Sequence, residues 1–124
     1  MIPKRIALIG AGRHSVTCHA PSLRQYASVF PDTILLHTVC DLDLSKAQKT
    51  AEEFGFIAAV DSINALFKDK ENMPDAIVAV LPVSEILSVA SLLLKYKLPL
   101  LVEKPLGRSI NDARQFIEAV NDAS

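Results

Sequence analysis

The chain has 124 residues, half of them hydrophobic and 22% charged, a composition that suits one folded domain and excludes wholesale disorder. A net charge of −1 excludes the broad basic field of a dedicated nucleic-acid binder. No apolar run reaches the roughly 18 residues of a membrane helix, and two cysteines, Cys18 and Cys40, are too few for a disulfide framework and fit a reducing cytoplasm.

Short apolar runs alternate with amphipathic stretches. Ile6-Ala7-Leu8-Ile9 is a continuous apolar run that ends at Gly10, as a strand buried on both faces would; although basic residues precede it as in a secretion signal, its short length and the glycine turn read as a strand. A helical stretch follows from about Ser15 to Ser28, with a break and a fresh start expected at Pro21-Ser22. Ile34 to Cys40 is β-rich. Asp43 caps a helix over Leu44 to Phe54, which Gly55 stops. Ile57 to Val60 predicts a third strand, and Asp61 or Ser62 caps the small helix carrying Ile63, Leu66 and Phe67. Ala76 to Leu81 is an unbroken apolar strand. Ser84 to Tyr96 predicts a helix with an apolar face at Ile86, Leu87, Ala90, Leu93 and Leu94, and Leu98 to Val102 a fifth strand. Ser109 opens a last helix, with Asp112 where a capping box wants its acid and Ile110, Ala113, Phe116, Ile117 and Val120 as its buried stripe. This alternation predicts an α/β fold, a doubly wound parallel sheet in strand order 3-2-1-4-5, as a single domain over residues 1–124.

Gly10-Ala11-Gly12 follows the first strand directly. There the first glycine permits a tight turn, and the second removes the Cβ that would keep a pyrophosphate from the backbone N–H groups at the helix N-terminus. Ser15 takes the place of the third glycine of that pattern. Asp41 ends the second strand, where a carboxylate accepts hydrogen bonds from the ribose hydroxyls of a dinucleotide; Asp43 is left to cap the helix. An acid at that point repels a 2′-phosphate and favours NAD, while Arg13, just beyond the turn, either contacts the pyrophosphate or welcomes an extra phosphate, which keeps NADP open. His14 either contacts phosphate or is a surface histidine. Cys18 is expected to be a small packed hydrophobe, and His19 and His37 show no spacing for a metal site.

Leu100-Leu101-Val102-Glu103-Lys104-Pro105 places Lys104 at the carboxyl end of the fifth strand, the edge where ligands of open α/β sheets sit, and a lysine there can donate to a hydroxyl or carbonyl and move a proton. With these residues, and with Lys4 to Gly12, His19-Ala20-Pro21-Ser22-Leu23, Val39-Cys40-Asp41, Ala47 to Gly55 and Leu81-Pro82, the chain resembles the N-terminal, Rossmann-fold half of the Gfo/Idh/MocA oxidoreductases. The resemblance implies NAD(P)-dependent oxidation or reduction of a sugar, cyclitol or related polyol as small-molecule substrate. It matches Lys104 to the lysine beside the reacting hydroxyl, and Gly10, Gly12 and Asp41 to the cofactor contacts; by position Arg13, His14 and Glu103 are expected on the cofactor side as well. Leu81 and Pro82 match the residues against the nicotinamide half. The family's usual threonine, asparagine, histidine and glycine are replaced here by Leu81, Val83, Ile86 and Lys97.

The family's second domain, which holds much of the substrate site, has no counterpart in these residues. The chain by itself is therefore expected to bind cofactor without turnover, and to expose an apolar patch near Leu81, Val83 and Leu106 that favours homo-oligomers. A non-catalytic nucleotide-binding or interaction module with the same fold is the alternative.

Overall fold

A computed structural model describes residues 2–124. Its five strands are β1 (Lys4–Ile9), β2 (Ile34–Cys40), β3 (Ala58–Val60), β4 (Ala76–Ala79) and β5 (Leu100–Val102). They pair in parallel in the order β3-β2-β1-β4-β5, as the sequence predicts. A one-residue bulge between Ile6 and Ala7 shifts the β1–β2 register. It leaves His37 on β2 without a partner on β1; its ring bonds Thr38 Oγ1 at 2.8 Å and Asn72 Oδ1 at 3.2 Å instead.

The central strand feeds two cores, because successive side chains of a strand point to opposite faces. Leu8 points to one face and packs with Leu36, Val39, Phe56 and the inner residues Ala47, Ala51 and Phe54 of α2 (Leu44–Phe54), together with α1 (Ala20–Val29). Ala7 and Ile9 point to the other face and pack with Ile77, Ala79, Leu93 and the Leu66–Phe67 end of α3 (Ile63–Leu66). Phe67 stacks on Tyr96 there, ring centroids 3.6 Å apart.

The caps follow the expected chemistry. Asp43 accepts from the N–H groups of Ser45 and Lys46, Gly55 closes α2 at φ 84°, and Ser62 rather than Asp61 caps α3 by accepting from Ala65 N–H at 3.1 Å. Ser109 caps α5 (Ile110–Ala123), but Asp112 reaches back to the N–H of Arg108, one residue before the cap.

Several boundaries differ from expectation. The strands β3, β4 and β5 are shorter than their apolar runs: Val80 still donates to the Ile9 carbonyl at 2.8 Å, but Leu81 and Pro82 then leave the sheet. No break occurs at Pro21. Residues Ser15–His19 form a π turn that continues straight into α1, with Pro21 in its first turn. A proline lacks the N–H and crowds the carbonyl four residues back, so the wider turn ahead of it relieves both demands without interrupting the helix.

The predicted helix over Ser84 to Tyr96 is a succession of a 3₁₀ turn (Val83–Glu85), a π turn (Ile86–Ala90), α4 (Ser91–Leu93) and a second 3₁₀ turn (Leu94–Tyr96). The π turn shifts the buried face, so Val89 joins the core where Leu87 was expected. On α5 only Phe116 is buried; Ile110 is 73% exposed and Ile117 51%. This helix packs on the 86–96 segment and not on the sheet, so its stripe is largely uncovered among the described residues. Of the expected patch only Val83 is exposed, Leu81 and Leu106 being half-buried.

Two predictions follow from local chemistry. Lys97 occupies a left-handed conformation, φ 55°, at the end of the 86–96 segment, the position where the resembled family carries glycine. A side chain there strains the backbone by about 1 kcal/mol, more than the exposed bond from its Nζ to the Ala123 carbonyl returns. Lys97→Gly is therefore expected to raise the thermal midpoint; a lower midpoint would show that the contact with α5 dominates.

Asp75 ties the start of β4 to β1, accepting from Arg5 backbone N–H at 2.8 Å and Arg5 Nε at 3.2 Å, and these bonds hold its pKa below the usual carboxylate value. A depressed carboxyl stabilises the fold above its unfolded pKa of about 3.9, and that contribution disappears as pH falls through the folded value. Asp75→Asn should lower stability by about 1 kcal/mol at pH 7, the pair being a third exposed. Urea titrations should show the difference from wild type shrinking as pH falls from 4 toward 2.

Candidate functional site

The chain leaves β1 toward β2 and β3 on one side, then returns to place β4 and β5 on the other. The order thus reverses between β1 and β4, and in open α/β sheets that reversal opens a crevice at the carboxyl edge. A cleft of about 610 Å³ lies there, within the size range of small-molecule sites. It is walled by Gly10, Gly12, Arg13, His14 and Ser15 from the turn after β1, by Cys40, Asp41 and Leu42 from the end of β2, and by Val80, Leu81 and Pro82 from the end of β4.

The turn is built from both sides. Gly10 has φ +101°, and its N–H donates to the Cys40 carbonyl at 2.7 Å. A Cβ on Gly10 would run into the Val80 carbonyl, so this glycine is required by the sheet itself. A Cβ on Gly12 would meet nothing within 4 Å. Gly12 therefore leaves open space on the cleft side, where a ligand can approach the backbone. The Asp41 carboxylate latches the turn to β2: Oδ2 accepts from Ala11 N–H and Oδ1 from Asp43 N–H, each at 2.8 Å. Each oxygen keeps a lone pair for a further donor. Asp43 caps α2 as expected, and hydrogen bonds from the Ser45 hydroxyl and the Lys46 N–H lower its pKa.

The continuous helix, which starts at Arg13 directly after Gly12, points its N-terminus, with the positive end of its dipole, into the cleft; its first intrahelical bond is from Val16 N–H to the Gly12 carbonyl, so the N–H groups before Val16 have no partner within the helix. Ser15 is fully buried, and its hydroxyl has no hydrogen-bond partner among the described residues. Arg13 and Lys46 add positive charge to the same wall. An elongated anion with hydroxyl groups near Asp41 fits this donor set. Cys40, beneath the cleft, is a buried thiol whose pKa burial and the charges of Asp41 and Asp61 raise to about 11, so it stays protonated near neutrality.

Seven of the sequence-predicted residues thus share one cleft: Gly10, Gly12, Arg13, His14, Asp41, Leu81 and Pro82. Lys104 is exposed beyond the end of β5 and is not in the lining, nor is Glu103. Glu103 instead accepts from two imidazoles, His14 Nε2 at 3.0 Å and His19 Nε2 at 2.7 Å, with Lys104 N–H at 3.1 Å on its other oxygen. These three donors depress its pKa to about 2. Two expectations are corrected here. His19 is not isolated, because the π turn brings residues five apart onto one side where a 3.6-residue period would separate them. Cys18 is exposed, not packed, for the same reason. The sequence also did not single out Lys46, Ser62, Ile63, Glu85, Ser88 and Val89, which line the cleft from helices and connections whose facing is set by tertiary packing.

Comparison with known proteins agrees with this geometry. The family described as an oxidoreductase family with an NAD-binding Rossmann fold matches residues 4–124. A myo-inositol dehydrogenase from Corynebacterium glutamicum is 30% identical, with TM-score 0.78 over 98% of this chain and 34% of its own. A myo-inositol 2-dehydrogenase from Lactobacillus plantarum (23% identity, TM-score 0.80) is covered over 98% of this chain and 34% of its own. The WlbA dehydrogenase from Bordetella pertussis, in complex with NADH and UDP-GlcNAcA (20% identity, TM-score 0.78), is covered over 99% of this chain and 34% of its own. The chain therefore spans about a third of the length of these structures. No curated protein matches it in sequence. Among the described residues no helix is long and apolar enough to cross a membrane. With its glycine turn, its acid at the end of β2 and its 3-2-1-4-5 sheet, the chain belongs to the Gfo/Idh/MocA oxidoreductases as their NAD-binding Rossmann domain.

Proposed function

We propose that this domain serves an NAD-dependent dehydrogenase acting on a sugar, cyclitol or related polyol. The observation that carries the reading is the Asp41-latched glycine turn opening at the switch point, in a chain 30% identical to a myo-inositol dehydrogenase. Bound NAD would supply the hydride acceptor. Gly12 and the N–H groups at the start of the helix hold the pyrophosphate, with Arg13 at its side. Asp41 accepts from the ribose hydroxyls with its spare lone pairs. Leu81 and Pro82 form the apolar wall for the nicotinamide half, and His14 stands at the rim. Glu103 acts through the two imidazoles it holds. Lys104, carried past the end of β5, takes up the proton that leaves the substrate hydroxyl on oxidation and returns it on reduction. A substrate domain elsewhere in the intact protein excludes water and orients the hydroxyl.

The two glycines separate fold from binding. Gly10→Ala should fold poorly, since positive φ and the Val80 carbonyl both oppose it. Gly12→Ala should keep its thermal midpoint within about 2 °C, an effect well under 1 kcal/mol, and weaken NAD by about tenfold or more on calorimetric titration. Unchanged NAD affinity in Gly12→Ala would remove the pyrophosphate from this turn.

Cofactor choice rests on Asp41. NAD is expected to bind at least about tenfold tighter than NADP, roughly 1.4 kcal/mol. Equal or tighter NADP binding would instead assign Arg13 and Lys46 to a 2′-phosphate.

In the intact protein, Lys104→Ala should lower kcat about 10²-fold on the accepted polyol while leaving NAD affinity unchanged. A kcat within twofold of wild type would make Lys104 a solvated surface residue.

A further inference from the structure

We infer that His14, His19 and Glu103 form a binding site for a zinc-class divalent cation at the edge of the domain. Nε2 of His14, Nε2 of His19 and a Glu103 oxygen all lie within 4.8 Å of one another. Both imidazoles aim at the same carboxylate oxygen, at 3.0 and 2.7 Å, and the two rings meet edge to face at 5.2 Å. Ligands about 2.0–2.2 Å from a tetrahedral zinc stand roughly 3.3 Å from one another. The two carboxylate–imidazole separations are already close to that value, and the exposed His14 ring can turn to set its Nε2 against that of His19, so a cation enters without a rearrangement of the fold.

The site is built from backbone that is fixed for other reasons. The π turn puts His14 and His19 on one side, and the end of β5 delivers Glu103. Two further features suit a cation at this carboxylate. Its other oxygen is held by Lys104 N–H, so the ligand is oriented by a second contact. His14 is 56% exposed, which leaves a path for entry and room for water as a further ligand. Two imidazoles and one carboxylate are a donor set of the zinc, cobalt and nickel class, and too poor in oxygen for calcium or magnesium. Neither Nδ1 has a protein partner among the described residues, so each imidazole is free to take the tautomer that presents a bare Nε2.

The test uses tag-free protein and Co²⁺ as a spectroscopic probe, with Zn²⁺ calorimetry beside it. Wild type should bind one Co²⁺ per chain saturably, with the intense visible bands of a four-coordinate ion, and Zn²⁺ should displace it. His14→Ala, which removes an exposed side chain and should leave the fold intact by circular dichroism, should weaken binding by about tenfold or more, and Glu103→Gln likewise. Cys18→Ser should bind as wild type. The proposal is overturned if wild type shows no saturable binding, if His14→Ala and Glu103→Gln both bind as tightly as wild type, or if Cys18→Ser abolishes the bands, which would assign the cation to the thiol.

Discussion

The architecture hangs on β1. It is the one strand whose neighbours were laid down by chain leaving in opposite directions, and it has parallel partners along both edges. Its side chains alternate between two cores, Leu8 on one face and Ala7 and Ile9 on the other, so neither layer of helices closes without it. The same reversal that splits the cores leaves the end of β1 without a crossover above it. The cleft is the space so created, and it is a by-product of topology before any residue is chosen for binding.

What turns that space into a dinucleotide site is a small set of backbone groups whose own hydrogen bonds are settled first. Gly10 N–H is spent on Cys40 and Ala11 N–H on Asp41, which fixes the turn and leaves the next N–H groups at the helix start facing the cleft. Asp41 thus holds the turn on one side of its carboxylate and remains available on the other. The anion-binding end is positive through the helix dipole, Arg13 and Lys46, while Asp41 marks the hydroxyl-binding end; the two signs give the cleft a direction.

Most of this was legible in the sequence because the signals were local. Strand order followed from alternation and the handedness of crossovers, the caps at Asp43 and Ser109 from residue type and spacing, and seven of the cleft residues from the turn, the acid and the Leu81-Pro82 pair. What was missed depends on departures from the 3.6-residue period. The π turns at Ser15–His19 and Ile86–Ala90 moved His19 and Cys18 in one place and exchanged Leu87 for Val89 in the other. The stripe of α5 was correctly periodic, yet periodicity says which residues share a face and not whether anything lies against it. Lys46 and Ser62 lie on caps or first turns, where sequence shows the capping role and conceals the facing.

The π turn at Ser15–His19 also decides where this connection can change length. A turn of this kind contains one residue more than an α-helix spanning the same rise. Deleting one residue within it would restore regular pitch and leave the glycine turn where Gly10, under the Val80 carbonyl, and Ala11, on Asp41, hold it. Deleting a residue from the regular pitch of α1 is different, because it would rotate the two sides of the helix by about 100° relative to one another. Within one surface helix, tolerance of a lost residue is therefore confined to the wide turn.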